Sequence, residues 1–196
     1  MLIAMAGLPA SGKSALARAI SDRLKYPVIA VDSIEAAMWR SGIGGPTRPE
    51  VPTGVSSFVI AEALAQDILR LGIGVIIDAV NDSEPARRRW VELAARHGYA
   101  LRFVEVVCSD PELHRRRLET RVRDIDGYIE PSWQDVLNRR YEPFAGRHLT
   151  VDTAGPVDPD AVIASLMSSP RPASAAAPQA PTPRPPSPAA PPPPAP

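Results

Sequence analysis

Gly7-Leu8-Pro9-Ala10-Ser11-Gly12-Lys13-Ser14 brings two glycines, a lysine and a hydroxyl into one octapeptide, with the spacing G-x-x-x-x-G-K-[ST] of a phosphate-binding loop. Gly7 and Gly12 can take positive φ and carry no side chain, so successive backbone N–H groups can close around a phosphate. The Lys13 ammonium is expected to reach the β- and γ-phosphates of a nucleotide, and the Ser14 hydroxyl to ligate Mg²⁺. A helix beginning at Lys13 adds the partial positive charge of its N-terminus. Leu8, Pro9, Ala10, Ser11 and Ala15 complete the expected cradle.

Two aspartates and a run of arginines are the other groups suited to phosphate chemistry. Asp32 ends the apolar run Val28-Ile29-Ala30-Val31, and Asp78 ends Gly74-Val75-Ile76-Ile77. Phosphoryl transfer asks for an orienting or proton-accepting group near the nucleophile and for positive charge around the transferred group. Each aspartate also has a structural reading, Asp32 as a cap of the following helix and Asp78 as a strand-tip carboxylate serving local backbone. Arg115, Arg116, Arg117, Arg121 and Arg123 follow Asp110-Pro111, with Leu118, Val122 and Ile125 at helical spacing. A solvated helix face accounts for part of that pattern.

The elements that must position these groups can be read in order. Leu2 to Ala6 is a short apolar run and reads as a buried strand. Leu16, Ala17, Ile20 and Leu24 give a helix that Lys25-Tyr26-Pro27 stops. Val28 to Val31 reads as a second strand, with Ser33 capping a helix through about Arg40. Gly42 to Gly54 is Gly- and Pro-rich, either a substrate cover or a long connection. Val55 to Leu71 predicts a helix whose buried face is Ile60, Leu64, Ile68 and Leu71. The third strand, ending at Asp78, is followed by a helix from Glu84, capped by Ser83, burying Trp90, Leu93, Ala94 and His97. His97 reads as a packed core residue rather than a ligand. Leu101 to Val107 is a fourth strand, Pro131 to Tyr141 a helix, and His148 to Val151 a fifth strand. Asp158-Pro159 opens a last helix ending near Met167.

Strands alternating with helices predict a parallel sheet covered on both faces, with ligands bound at the C-terminal tips of its strands. Gly7, Asp32 and Asp78 all fall at such tips.

The chain has 196 residues and formal net charge +0. Residues 168–196 hold 13 of its 24 prolines and no apolar side chain larger than Ala, apart from which residues 1–167 form one expected domain. A segment of that composition cannot bury enough surface to offset its ordering entropy and is expected to be disordered. Its P-x-x-P spacings, such as Pro178 to Pro181, arise readily in so proline-dense a stretch. Near-neutral charge argues against coating of duplex nucleic acid, while leaving room for a short single-strand groove. The lone Cys108 forms no internal disulfide, and no long apolar run or leader pattern is present, so a cytoplasmic protein without membrane contact is expected. The N-K-x-D segment of guanine readers is absent, since the only asparagines are Asn81 and Asn138. Asp78 is followed by Ala79 rather than by the water-activating acid of ATP-driven motors. Both points favour a kinase.

The chain resembles the small P-loop kinases of the group containing zeta toxins, chloramphenicol phosphotransferase and polynucleotide kinase. The likeness rests on Gly7–Ser14, Val31-Asp32-Ser33, Ile77-Asp78-Ala79-Val80-Asn81 and the Arg-rich stretch from His114 to Arg123. It continues through Pro131-Ser132-Trp133, Arg140-Tyr141-Glu142-Pro143 and Val151-Asp152-Thr153-Ala154. It is similar above all to bacterial ATP-binding proteins of the AAA ATPase type that are kinase-like rather than motors. The resemblance implies a P-loop NTPase three-layer α/β/α sandwich with a five-stranded parallel sheet and an Arg-rich helical lid, using ATP and Mg²⁺. It places Asp32 facing the acceptor hydroxyl, Asp78 either at the Mg²⁺ with Ser14, through water, or orienting substrate, and Arg117 and Arg121 as the arginines that meet developing phosphoryl charge. Arg87 reads either as a contact to substrate phosphate or as a surface residue, and Thr153-Ala154-Gly155-Pro156 as the segment around adenine. The expected reaction is transfer of the γ-phosphate to a hydroxyl of a small-molecule or nucleotide-like acceptor. The alternatives are a polynucleotide 5′-hydroxyl kinase and, from another class, an ATP-binding switch recruiting a partner through its Pro-rich tail.

Overall fold

All five residues of β1 (Leu2–Ala6) are buried, as an uninterrupted apolar run predicts for a strand covered on both faces. A computed structural model describes residues 1–122 and 125–168 of the chain. In it β1 is the middle strand of a five-stranded sheet. It pairs in parallel with β3 (Val75–Asp78) on one side and β4 (Leu101–Val107) on the other. The edge strands β2 (Val28–Ala30) and β5 (Leu149–Asp152) pair with β3 and β4, giving the order β2-β3-β1-β4-β5. Among the described residues the helices are α1 (Lys13–Leu24), α2 (Val31–Arg40), α3 (Gly54–Arg70), α4 (Glu84–His97), α5 (Pro111–Thr120), α6 (Trp133–Asn138) and α7 (Pro159–Ser168).

The alternation of side chains along β1 builds two cores. Ile3 and Met5 pack with Leu16, Ala17 and Ile20 of α1 and with Val162 and Leu166 of α7. Leu2 and Ala4 pack on the opposite face with Ala61, Ala65 and Leu69 of α3 and Trp90 and Leu93 of α4. The result is the expected three-layer α/β/α sandwich. Local chemistry sets the helix ends. Asp110 caps α5 by accepting from Leu113 N at 2.9 Å, with Pro111 at a position where its missing N–H costs nothing. Ser132 and Asp135 close a reciprocal capping box on α6. Hydrogen bonds from Ser132 hold the Asp135 carboxyl below the usual carboxylate range.

Several readings of the sequence need correction, among them the helix expected over Pro131 to Tyr141, which spans only Trp133–Asn138. The second strand ends at Ala30, and Val31 already belongs to α2. Asp32 therefore sits in the first helical turn, where the helix dipole favours a carboxylate, and Ser33 is an exposed helical residue rather than a cap. Helix α3 buries Ser57, Ala61, Ala65 and Leu69, while Ile60, Leu64 and Leu71 are exposed, Leu71 to 75%. Two stripes one residue apart compete on this apolar helix, and the small-residue stripe wins because it lets the backbone approach β2, β3 and α2 closely. In α4 the buried face contains Arg87 with Trp90, Leu93 and Ala94, and His97 is half-buried, stacked on Tyr99 at 5.6 Å. Helix α5 stops at Thr120, leaving Val122 97% exposed rather than on a buried stripe. Ser168 closes α7, so the first residue of the expected tail is helical, and residues 169–196 of that tail lie outside the described residues, as does Arg123. No helix among the described residues is long and apolar enough to cross a membrane.

Candidate active site

The loop between β1 and α1 has the backbone its glycines promise. Gly7 sits at φ 138°, where an added Cβ would lie 2.2 Å from the Val106 carbonyl oxygen and 2.8 Å from Ser11 Oγ. Gly12 caps α1 at φ 96°. Ala10 is also left-handed, at φ 64°, a conformation that costs a non-glycine residue on the order of 1–3 kcal/mol and persists only where the surroundings impose it. Lys13 is 4% exposed and Ser11 1%. Ser14 stands in the first turn of α1, half-buried, with Ala15 exposed behind it.

The surroundings that impose this shape come from far along the chain. The imidazole Nε2 of His114, on α5, lies 2.7 Å from the Pro9 carbonyl oxygen, and the ring meets Trp133 edge-on. The Thr153 hydroxyl donates to Ser11 O at 2.7 Å. Arg117 then grips Thr153 twice, from Nη1 to the hydroxyl and from Nη2 to the carbonyl, each at 2.9 Å. Next to it, Asp152 accepts from Ser109 N and Ala154 N at 3.0 Å. Hydrogen bonds from Ser109 and then Ala154 hold its carboxyl below the usual range. Arg117 is thus a fastener of the segment after β5.

The acidic side lies across β1. Asp78 is paired in register with Met5 and with Ala30, and Gly7 N donates to Val80 O at 3.0 Å. These pairings put the cradle, Asp78 and the start of α2 with Asp32 along one edge of the sheet. Asp78 is 7% exposed, and its Oδ1 is buried without a hydrogen-bond partner. The Nε of Arg121, at the end of α5, is likewise buried and unpartnered, although its Nη2 pairs with Glu130. An orphaned carboxylate oxygen suits a cation, and an orphaned guanidinium N–H suits an anion. Together with the cradle they fit a metal-bound nucleotide. Arg115 pairs with Glu119 on the exposed face of α5, and Arg116 is exposed.

Arg87 belongs to neither of its expected places. It is 3% exposed and donates to the carbonyls of Asn81 and Pro143 at 2.9 Å and to that of Glu142. Its guanidinium lies 3.9 Å from the Phe144 ring centroid. Asn81, at φ 47°, is a buried hub that donates to Met5 O at 2.7 Å and accepts from Trp90 Nε1 at 2.9 Å.

Aromatic and polar contacts join residues after α5 to α2. Trp39 of α2 stacks on Tyr128 at 5.8 Å, and Arg40 donates to Asp126 O. Asp126 and Tyr128, which follow α5 in the chain, thereby meet α2. Trp39 Nε1 also donates to Thr53 Oγ1 at 2.9 Å, which donates to Glu35 at 2.7 Å, pinning the end of the Gly-rich loop to α2. Beside the phosphate loop, a cavity of about 200 Å³ is lined by Gly7, Leu8, Ser11, Glu105, Cys108 and Tyr141, among others.

His114, Asn81, Glu105 and Tyr141 were not legible as site residues. The histidine is alone in its helix, and no spacing rule connects it to Pro9.

A glycine cradle at the tip of a central parallel strand, with a buried lysine and an acid on the neighbouring strand, defines a P-loop fold. The chain belongs to the AAA domain family AAA_33, whose model matches residues 2–143. Among solved structures it is similar to a protein described as a kinase from Chloroflexus aurantiacus, at 22% identity and TM-score 0.69, over 85% of this chain and 96% of that one. It is also similar to a gluconokinase from Sinorhizobium meliloti, at 22% identity and TM-score 0.54, over 84% and 87%. A third is the Mycobacterium tuberculosis APS kinase CysC in complex with AMPPNP and APS, at 16% identity and TM-score 0.60, over 86% and 97%. No curated protein matches the chain.

Proposed function

We propose that this chain is an ATP-dependent phosphotransferase, moving the γ-phosphoryl group of ATP to a hydroxyl of a small-molecule or nucleotide-like acceptor. The observation that carries the reading is the unpartnered Asp78 Oδ1 beside a cradle that holds Lys13 buried. In this reading Lys13 binds the β- and γ-phosphates, and backbone N–H groups of the loop from Ala10 to Ala15 bind the remaining phosphate oxygens. Ser14 and Asp78 would hold Mg²⁺, which when bound neutralises charge on those phosphates. Asp32 orients the acceptor hydroxyl and takes its proton as the new P–O bond forms and the β–γ bridge breaks. Arg121, with a donor to spare, stabilises charge on the transferred group, whereas Arg117 acts through Thr153 to keep the nucleotide-side segment in place. The mycobacterial APS kinase in complex with AMPPNP and APS supports a nucleotide as the phosphoryl donor in this reading.

The test is incubation of the full chain with γ-labelled ATP and Mg²⁺ against sugars, nucleosides, antibiotics and RNA 5′-hydroxyl ends. Transfer of label to an acceptor, lost in Lys13→Ala, is the expected result. Release of phosphate with no acceptor labelled would instead identify an ATP-hydrolysing switch.

A further inference from the structure

The two carbonyls clasped behind the phosphate loop belong to alternate peptide groups. His114 Nε2 lies 2.7 Å from Pro9 O, and the Thr153 hydroxyl donates to Ser11 O at 2.7 Å. A carbonyl oxygen only accepts, so the histidine must carry a proton on Nε2. The chain has no cis peptide bond among its described residues. In a trans peptide group the C=O and the following N–H point in opposite directions, so each clasp also aims one donor. Holding Pro9 O sets Ala10 N–H, and holding Ser11 O sets Gly12 N–H. His114 and Thr153 are 6% and 8% exposed, so both oxygens face packed protein and both N–H groups face away from it. Among the described residues, neither Ala10 N nor Gly12 N donates to a backbone carbonyl.

The first of these peptide groups has a reason to turn over. Ala10 lies at φ 64°, a conformation unfavourable for alanine. A flip of the Pro9–Ala10 peptide group would carry that φ to an ordinary negative value. It would also turn Ala10 N–H out of the cradle and Pro9 O into it, where a phosphate would meet a carbonyl dipole of the wrong sign. The bond from His114 opposes that flip. The ring is itself held, with Trp133 edge-on to it at 5.3 Å between centroids and its own backbone N bonded to Asp110 O at 3.0 Å. One helix face governs both peptide groups, because His114 and Arg117 lie three positions apart on α5. His114 reaches Pro9 directly, and Arg117 reaches Ser11 through the Thr153 hydroxyl, to which it donates at 2.9 Å.

We propose that His114 is a positioning residue for the phosphates. As the Nε2–H tautomer it keeps the Pro9–Ala10 peptide group from flipping, with Ala10 N–H turned toward the phosphate and Pro9 O turned away. The ligand in this inference rests on the nucleotide reading, whereas the tautomer of the ring does not.

The experiment measures binding without turnover, by calorimetry on the full chain with Mg²⁺, comparing AMPPNP with tripolyphosphate, which has no base. His114→Leu keeps the bulk and removes the donor, and it should weaken both probes by about tenfold, the scale of one lost hydrogen bond. His114→Gln offers an amide donor in a similar place and should recover most of that loss. Nitrogen NMR reads the ring in the unmutated protein. The chain has three histidines, so the signal missing from His114→Gln identifies this one, and in the neutral ring it should be the Nε2–H form. An Nδ1–H ring would overturn the proposal. So would wild-type affinity in His114→Leu, a glutamine variant no better than leucine, or a loss for AMPPNP that tripolyphosphate does not share. If the wild-type chain binds neither probe, the nucleotide reading fails and takes this role with it; if it binds both and His114→Leu binds them equally well, only the role of His114 fails.

Discussion

The two halves of the site are held in different ways. On the nucleotide side, buried polar groups clasp backbone carbonyls: His114 on Pro9, Thr153 on Ser11 and Arg117 on Thr153. On the side of α2, side chains also meet side chains, as Trp39 on Tyr128 and Thr53 on Glu35 do, alongside the bond from Arg40 to Asp126 O. A carbonyl accepts the same bond whatever its residue, so the first kind fixes a backbone shape for a generic phosphate. The second depends on the residues present and so can be fitted to a particular acceptor. Under the proposed phosphotransferase reading, this difference would separate binding the phosphoryl donor from choosing where the phosphoryl goes.

Variants can break this division, and the largest effect belongs to the donor side. Lys13→Ala should abolish transfer and weaken Mg·ATP binding beyond calorimetric detection, since a buried ammonium has no substitute there. An ATP affinity within threefold of wild type would show that the cradle alone suffices. Next is Asp32→Asn on the acceptor side, which keeps shape and removes the proton acceptor. Transfer should fall by roughly 10²–10⁴-fold with Mg·ATP affinity nearly intact, the smaller value suiting a loose transition state. Wild-type transfer in that variant would reduce Asp32 to a helix-terminus carboxylate.

A smaller and sharper contrast divides the two arginines. Arg121→Ala should lower turnover by roughly 10²-fold at nearly unchanged ATP affinity, the signature of a contact made in the transition state. Arg117→Ala should instead raise the KM for ATP, and Thr153→Val should reproduce it because both remove the same fastening. Identical kinetic profiles for the two arginine variants would erase the distinction. The smallest effect is Asp152→Asn. Its folded carboxyl titrates below the ordinary value, so its contribution to stability is complete above about pH 4 and is lost as pH falls through the depressed value. Melting temperature measured between neutral pH and pH 3 should therefore fall less steeply in Asp152→Asn than in wild type.

What was legible followed from range along the chain. Gly7 and Gly12 announce a local backbone shape, and β1, β3 and β4 announce themselves as apolar runs, so the cradle and its sheet could be read directly. Asp32 was placed one element too early because β2 pairs on one side only, and Val31 serves a buried helical position as well as a strand. The face of α3 was misread because size ranked Leu64 above Ala65, whereas packing distance ranked them the other way. Arg87 and Thr153 have partners 55 to 142 positions away, and nothing in the spacing of charged or hydroxyl residues encodes such a meeting.

The strap from Thr153 to Ser11 has a consequence for how the protein is made. During synthesis the loop emerges long before the residue that braces it, 142 positions later in the chain, and the strands between must take their places in the sheet. Contacts of such separation are entropically late. A nascent chain therefore carries the nucleotide-binding motif through most of its translation without its brace, and the site matures near the end of folding. A nucleotide that binds only the finished cradle then acts as a folding ligand, drawing the last strand into place by mass action.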